Sequence, residues 1–161
     1  MPHRLDQTDR RILKELMADG RLTNVALAAR IGITPPPCLR RVRTLEEQGF
    51  ITGYAAEVDA RKLGFEVNAF VMVTLHSQAE ADLRAFENRV LAWPIVREAY
   101  IISGETDFLL RCVARDLTTF QEFVMRELTA APNVSSIRTQ LAIRRAKSEP
   151  GVPLGETGGR E

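Results

Sequence analysis

Residues 23–54 read TNVALAARIGITPPPCLRRVRTLEEQGFITGY, and this stretch decides the fold. Thr23 is a natural cap for a short helix whose apolar positions are Val25, Leu27, Ala28 and Ile31. Gly32 breaks that helix. Thr34 and the run Pro35-Pro36-Pro37 lead into another. Proline is tolerated in a first turn, where the N–H groups have no partner inside the helix. A residue before proline resists helical geometry, so the start lies anywhere from Pro35 to Cys38. Cys38, Leu39, Val42 and Leu45 make the apolar side, and Gly49 stops the helix. Phe50-Ile51 and Tyr54 through Val58 then read as short strands around Gly53.

Upstream lies one more helix. Asp6 is its N-cap, Asp9 puts a carboxylate in the first turn, and Ile12, Leu13, Leu16 and Met17 recur at helical spacing before Gly20. Three short helices, a glycine turn between the second and third, and a small ribbon spell a winged helix-turn-helix over residues 1–58.

At 100° per residue, the outward arc of the third helix holds Pro36, Pro37, Arg40, Thr44 and Glu47, with Arg41 and Arg43 on its flanks. Short polar and Arg side chains from the N-terminal half of a helix suit the DNA major groove. Arg40 has the fork to meet guanine O6 and N7. Arg41 and Arg43 sit where phosphates pass. The helix N-terminus near Thr34 favours a phosphate too. The candidate DNA-binding set is Thr34, Pro36, Pro37, Arg40, Arg41, Arg43 and Thr44. A solvated basic face is the plain alternative; the neighbouring turn and ribbon favour DNA. Charge agrees in sign. Residues 1–54 hold nine Lys/Arg against six Asp/Glu, and the remainder thirteen against fifteen.

Downstream the pattern changes. Residues 59–66 (DARKLGFE) read as a linker. Strands are expected at Val67–His76, Val96–Ser103, Phe108–Val113 and Val134–Ile143, and helices at Ala79–Ala92 and Leu117–Leu128. That order, β-α-β-β-α-β, is the ferredoxin-like arrangement, over residues 67–147. Residues 148–161 (SEPGVPLGETGGRE) have almost no large apolar side chains and read as a disordered tail. The fold class is therefore α+β.

Composition narrows the function. A hydrophobic fraction of 45% and a charged fraction of 27% are ordinary for a soluble globular protein. No apolar run approaches the roughly 20 residues of a membrane span. Charges begin at once and no signal peptide is visible, which points to the cytoplasm. Cys38 and Cys112 lie far apart without a CxxC partner, and His3 and His76 are the two histidines, so neither a disulfide framework, a metal site nor a cofactor is expected. His76 reads as a surface or interface residue, and Trp93-Pro94 as the close of a helix. No Ser-His-Asp set or carboxylate pair with suitable spacing stands out, so an enzyme is not expected.

Four segments carry a resemblance: LDQTDRRIL from Leu5, the run from Gly20 to Tyr54, SGETDFLLRCVA from Ser103, and VSSIRTQL from Val134. Together they resemble the Lrp/AsnC, or feast/famine, family of bacterial and archaeal transcriptional regulators, over residues 5–147. The resemblance implies dimers formed through the C-terminal sheet, assembling further to tetramers or octamers on double-stranded DNA. It also implies a small-molecule effector, often an amino acid, held where C-terminal domains of neighbouring dimers meet. The turn between the second and third strands and the last strand line that cleft: here Gly104, Glu105, Thr106, Asp107, Arg138 and Thr139. Backbone N–H groups around Gly104 suit a carboxylate, Asp107 an ammonium, and Thr139 either partner. Gly104 and Asp107 are also good turn residues with no ligand needed. The TPPPC run departs from the family's usual Ser-Pro-x-Pro pattern, which leaves the entry of the third helix open. The alternatives are an effector-independent architectural DNA binder and a sirohaem-decarboxylase-like enzyme of related fold.

Overall fold

The computed structural model describes residues 4–155. Val58–Ala146 forms one compact unit, and the described residues on either side of it form the other.

In the first unit, α1 (Gln7–Ala18), α2 (Asn24–Ile31) and α3 (Pro35–Glu47) surround a core of Ile12, Leu27, Ala28, Ile31, Cys38 and Leu45. Asp6 caps α1 through a reciprocal box: its carboxylate accepts from the Asp9 N–H, and the Asp9 carboxylate accepts from the Asp6 N–H. Thr23 caps α2, accepting from the Ala26 N–H. Gly32 ends α2 in the left-handed region at φ 78°, where a side chain would be strained. Helix α1 ends at Ala18, with extended Asp19 as its C-cap, before Gly20 is reached. Two apolar positions expected inward are outside: Val25 is 66% exposed and Leu39 is 39% exposed, because both sit at the edge of their helix's apolar arc.

The expected ribbon is not built. Residues 50–58 form no strand. The reason lies in the end of α3. Gly49 turns left-handed at φ 73°, and the Phe50 and Ile51 N–H groups both donate to the Leu45 carbonyl, at 2.9 and 3.1 Å. Donors spent on a helix C-terminus are not available to a ladder. Tyr54 anchors the segment instead. Its ring lies over Gly20, and its hydroxyl donates to Glu46 Oε1 at 2.9 Å. Burial and then the Glu46 hydrogen bond push the Tyr54 pKa up to about 12.

The second unit runs β1 (Val67–Leu75), α4 (Glu80–Leu91), β2 (Val96–Ile101), β3 (Phe108–Ala114), α5 (Leu117–Phe123) and β4 (Val134–Leu141). The four strands form one antiparallel sheet in the order β2-β3-β1-β4. Alternation sends Ala69, Val71, Val73, Phe108, Leu110, Cys112 and Ala114 into a core shared with Phe86, Trp93, Phe120 and Phe123. Phe86 meets Phe108 at 4.7 Å between centroids, and Trp93 meets Phe123 edge-on at 5.3 Å. The other face of the sheet carries no helix of this unit.

Three expectations change in detail. The last helix is not uniform: α5 gives way to a π-helical turn over Val124–Leu128, closed by the N–H and hydroxyl of Thr129 on the Val124 carbonyl. Leu128 is thereby buried and Met125 left 69% exposed. Residues 59–66 are not a free linker but belong to the second unit. Asp59 accepts from the Arg61 N–H, Glu66 donates to the Arg115 carbonyl, and the Arg115 guanidinium lies 5.4 Å from the centre of the Phe65 ring. The tail from 148 to 155 has no helix or strand but groups with the first unit, where Gly151 packs against Met17. The rest of the expected tail, residues 156–161, lies outside the described residues.

Candidate nucleic-acid interface and effector turn

Helix α3 begins at Pro35, so the three prolines occupy its first three positions. Each lacks an N–H. The Cys38 N–H is the first donor of the helix, and it is already bound to the Thr34 carbonyl at 3.3 Å. The expected anion grip at the N-terminus therefore has no backbone donor from residues 35–37. Thr34 is exposed and makes no side-chain cap. Asn24 Nδ2 donates to the Pro35 carbonyl at 2.8 Å and ties the start of α3 to α2. Asn24 has no place in the sequence-predicted set; as a polar residue at the first position of a helix, it carries no signal that it reaches across the turn.

The other candidates divide. Arg40 and Arg43 are exposed and have no ion pair among the described residues. Pro36 is exposed beside them and Pro37 half-buried. The Thr44 hydroxyl donates to the Arg40 carbonyl at 3.0 Å, which leaves its lone pairs to accept. Arg41 is placed differently. Its Nη1 lies 2.7 Å from both Asp6 Oδ2 and Asp9 Oδ1, and Asp9 is buried. The guanidinium expected at a phosphate thus engages Nη1 in an internal ion pair. Asp6, Asp9, Arg40, Arg41 and Thr44 line a cavity of about 260 Å³ on this face.

In the second unit, the turn between β2 and β3 is set by Gly104, at φ 130°, and by Asp107. Asp107 is buried. Its carboxylate accepts from the Leu75 N–H at 2.7 Å, its N–H donates to the Val73 carbonyl, and its carbonyl accepts from Ile102. The β1–β4 register shifts at Thr74/Leu75, so Asp107 supplies Leu75 with an acceptor at an irregular point of the ladder. One oxygen of the carboxylate expected to meet an ammonium is engaged by the backbone. Glu105 and Gly104 stand exposed, Thr106 is half-buried, and Thr74 Oγ1 donates to the Glu105 carbonyl at 3.4 Å.

The two β4 candidates do not converge. Arg138 pairs with Met72 and so faces the helix-free side of the sheet, as do Thr74 and Ser136. Thr139 pairs with fully buried Val71 and faces the helical side. Strand alternation separates neighbours that a linear reading puts together. Thr74 is the residue missed; its place two positions from Met72 on the open face was the available signal. That open face also carries Phe70, Tyr100 and the pair Arg111–Glu98, joined at 2.7 Å. Burial pushes the Glu98 carboxyl up, but hydrogen bonds from Arg111 and Tyr100 outweigh it and hold the group below its ordinary pKa.

A helix-turn-helix joined to an α+β domain with an open sheet and a glycine turn defines a class: DNA-binding regulators that answer to a ligand. Comparison with known proteins makes this specific. Residues 5–52 match the model of a winged helix-turn-helix DNA-binding domain, and residues 68–152 match the Lrp/AsnC ligand binding domain. A leucine-responsive regulatory protein of Rhizobium meliloti (strain 1021) is 57% identical over 143 residues, covering 89% of this chain and 92% of that one. Among solved structures, a transcriptional regulator from Neisseria meningitidis, in complex with L-Met, aligns at TM-score 0.89 and 34% identity over 94% of this chain and 97% of that one. An AsnC family transcriptional regulator from Agrobacterium tumefaciens aligns at 0.87 and 31% identity, over 93% and 97%.

The chain belongs to the Lrp/AsnC family. It is a transcriptional regulator with a DNA-binding and a ligand-binding domain, and not an enzyme. No helix among the described residues is long and apolar enough to cross a membrane.

Proposed function

We propose that this protein binds double-stranded DNA sequence-specifically in the cytoplasm as a homo-oligomer, and that an amino acid with an apolar side chain modulates the binding. The observation that carries the DNA reading is the pair Arg40 and Arg43, exposed on α3 with their charges uncommitted. Arg40 reads a base edge, Arg43 meets a phosphate, and Thr34, Pro36, Pro37 and Thr44 form the surrounding contact surface.

The effector reading is supported by the relative named for leucine and the neighbour holding L-Met. The exposed turn Gly104-Glu105-Thr106, with Arg138 on the open face of the same sheet, offers backbone donors and one cation to a carboxylate. Asp107 holds that turn in shape. The open face, with Phe70 36% exposed and Tyr100 53% exposed, suits pairing with a second copy. Dimers of this kind assemble further to tetramers or octamers.

The test begins with a duplex that the protein enriches from a randomised pool. Affinity for it and assembly size are then measured with each of the twenty amino acids. One apolar amino acid shifting both supports the reading. A strong preference for one duplex that no amino acid alters would remove the effector, and equal affinity for all duplexes would leave an architectural binder.

A further inference from the structure

Arg41 occupies a position on α3 that faces DNA by helical geometry, yet its guanidinium is turned into the protein. We propose that Arg41 is a positioning residue: it spends its charge on the capping box of α1, and so sets the angle at which α3 presents Arg40 and Arg43. The proposal rests on the reading of α3 as the DNA-contacting helix, and adds what fixes that helix in place.

Four hydrogen bonds link Arg41, Asp6 and Asp9 at the start of α1. Asp6 accepts from the Asp9 N–H at Oδ1 and from Arg41 at Oδ2; Asp9 accepts from the Asp6 N–H at Oδ2 and from Arg41 at Oδ1. Each carboxylate uses one oxygen to start α1 and the other to hold α3. The N-cap of one helix and the seat of another are therefore a single network. Asp9 is 1% exposed, so parting Arg41 from it would take a hydrogen bond from a carboxylate that water does not reach.

A second pin makes the angle definite. Asn24 Nδ2 holds the Pro35 carbonyl at the first residue of α3, and Arg41 holds α1 six residues later. Two attachments to two different helices fix the axis. The usual external pin, a phosphate on the first N–H groups of a helix, has no donors from Pro35, Pro36 and Pro37. The charge states agree with the geometry. The Asp9 backbone hydrogen bond and then Arg41 hold the Asp6 carboxyl below its ordinary value, and the two carboxylates raise Arg41.

The experiment uses the full chain, a duplex enriched by the wild-type protein from a randomised pool, and a scrambled duplex of equal length. Affinity for each is measured against salt concentration in wild type, Arg41→Ala and Asp6→Asn. Asparagine at 6 keeps an oxygen for the Asp9 N–H but loses the bond to Arg41. The expected result is an unchanged salt slope on both duplexes and a fall of about tenfold in the enriched-to-scrambled ratio in both variants, the worth of one base contact. A slope reduced by about 0.9 for each Arg41 removed would make it a phosphate ligand and overturn the proposal. If Arg41→Ala does not fold, Asp6→Asn decides: an unchanged ratio overturns it. A wild-type protein with no preference among duplexes would instead remove the sequence-specific reading. The slope on scrambled DNA would still decide the role of Arg41.

Discussion

The two units solve the problem of stability in different ways. The second unit fills its interior with apolar bulk: fifteen buried residues, four of them Phe and one Trp, packed between a sheet and its helices. Among its described residues, the first has six in its buried apolar core, and two of those are Ala28 and Cys38. So small a core leaves a domain marginal. There, capping and charge do more of the joining: the Asp6–Asp9–Arg41 network, Arg30 to Glu15 at 3.1 Å, Asn24 to Pro35, and Tyr54 to Glu46. Polar joints depend on direction. They join the DNA-binding domain, whereas apolar packing builds the ligand-binding domain.

The largest test of that contrast is Phe108→Ala. Phe108 is 1% exposed and tilted against Phe86, so truncation should cost the second unit about 3–5 kcal/mol. Calorimetry should show the transition of the second unit moved down and that of the first unmoved. A joint shift would mean the two units melt as one, and would break the comparison.

Next comes Arg40→Ala. It should cost about 1–3 kcal/mol in binding to the enriched duplex, with less loss on scrambled DNA and both melting transitions unchanged. Equal loss on both duplexes would take base reading away from Arg40.

The smallest effect is on acid stability. The folded-state pKa of Asp6 is depressed, so its contribution is fully present above the ordinary aspartate value and is lost as pH falls through the folded value. Glu98 and Asp116, both also depressed, give the second unit an acid dependence of its own. Asp6→Asn should therefore flatten the melting temperature of the first unit below about pH 4, while the second unit keeps its slope. Flattening in both, or in neither, would show that the capping box does not belong to the first unit alone.

Much of this protein is legible in the sequence because the signals are local. The spacing of Ile12, Leu27, Ile31 and Leu45, the caps Asp6 and Thr23, the turn at Gly32 and the alternation along β1 and β3 each depend on neighbours within a few residues. The order β-α-β-β-α-β follows from them, and so do the three helices of the first unit. What the tertiary structure decided concerns partners distant in the chain. Arg41 looks like Arg40 in sequence, and only the approach of α1, with buried Asp9, turns it inward. Asp107 looks in sequence like a turn residue or a ligand, and only the fold brings the Leu75 N–H, 32 residues away, to one of its oxygens. Arg138 and Thr139 look like one site until strand register sends them to opposite faces. A residue's type declares what it is able to bind, but hydrogen-bonding capacity is finite, and the fold settles which partner arrives first.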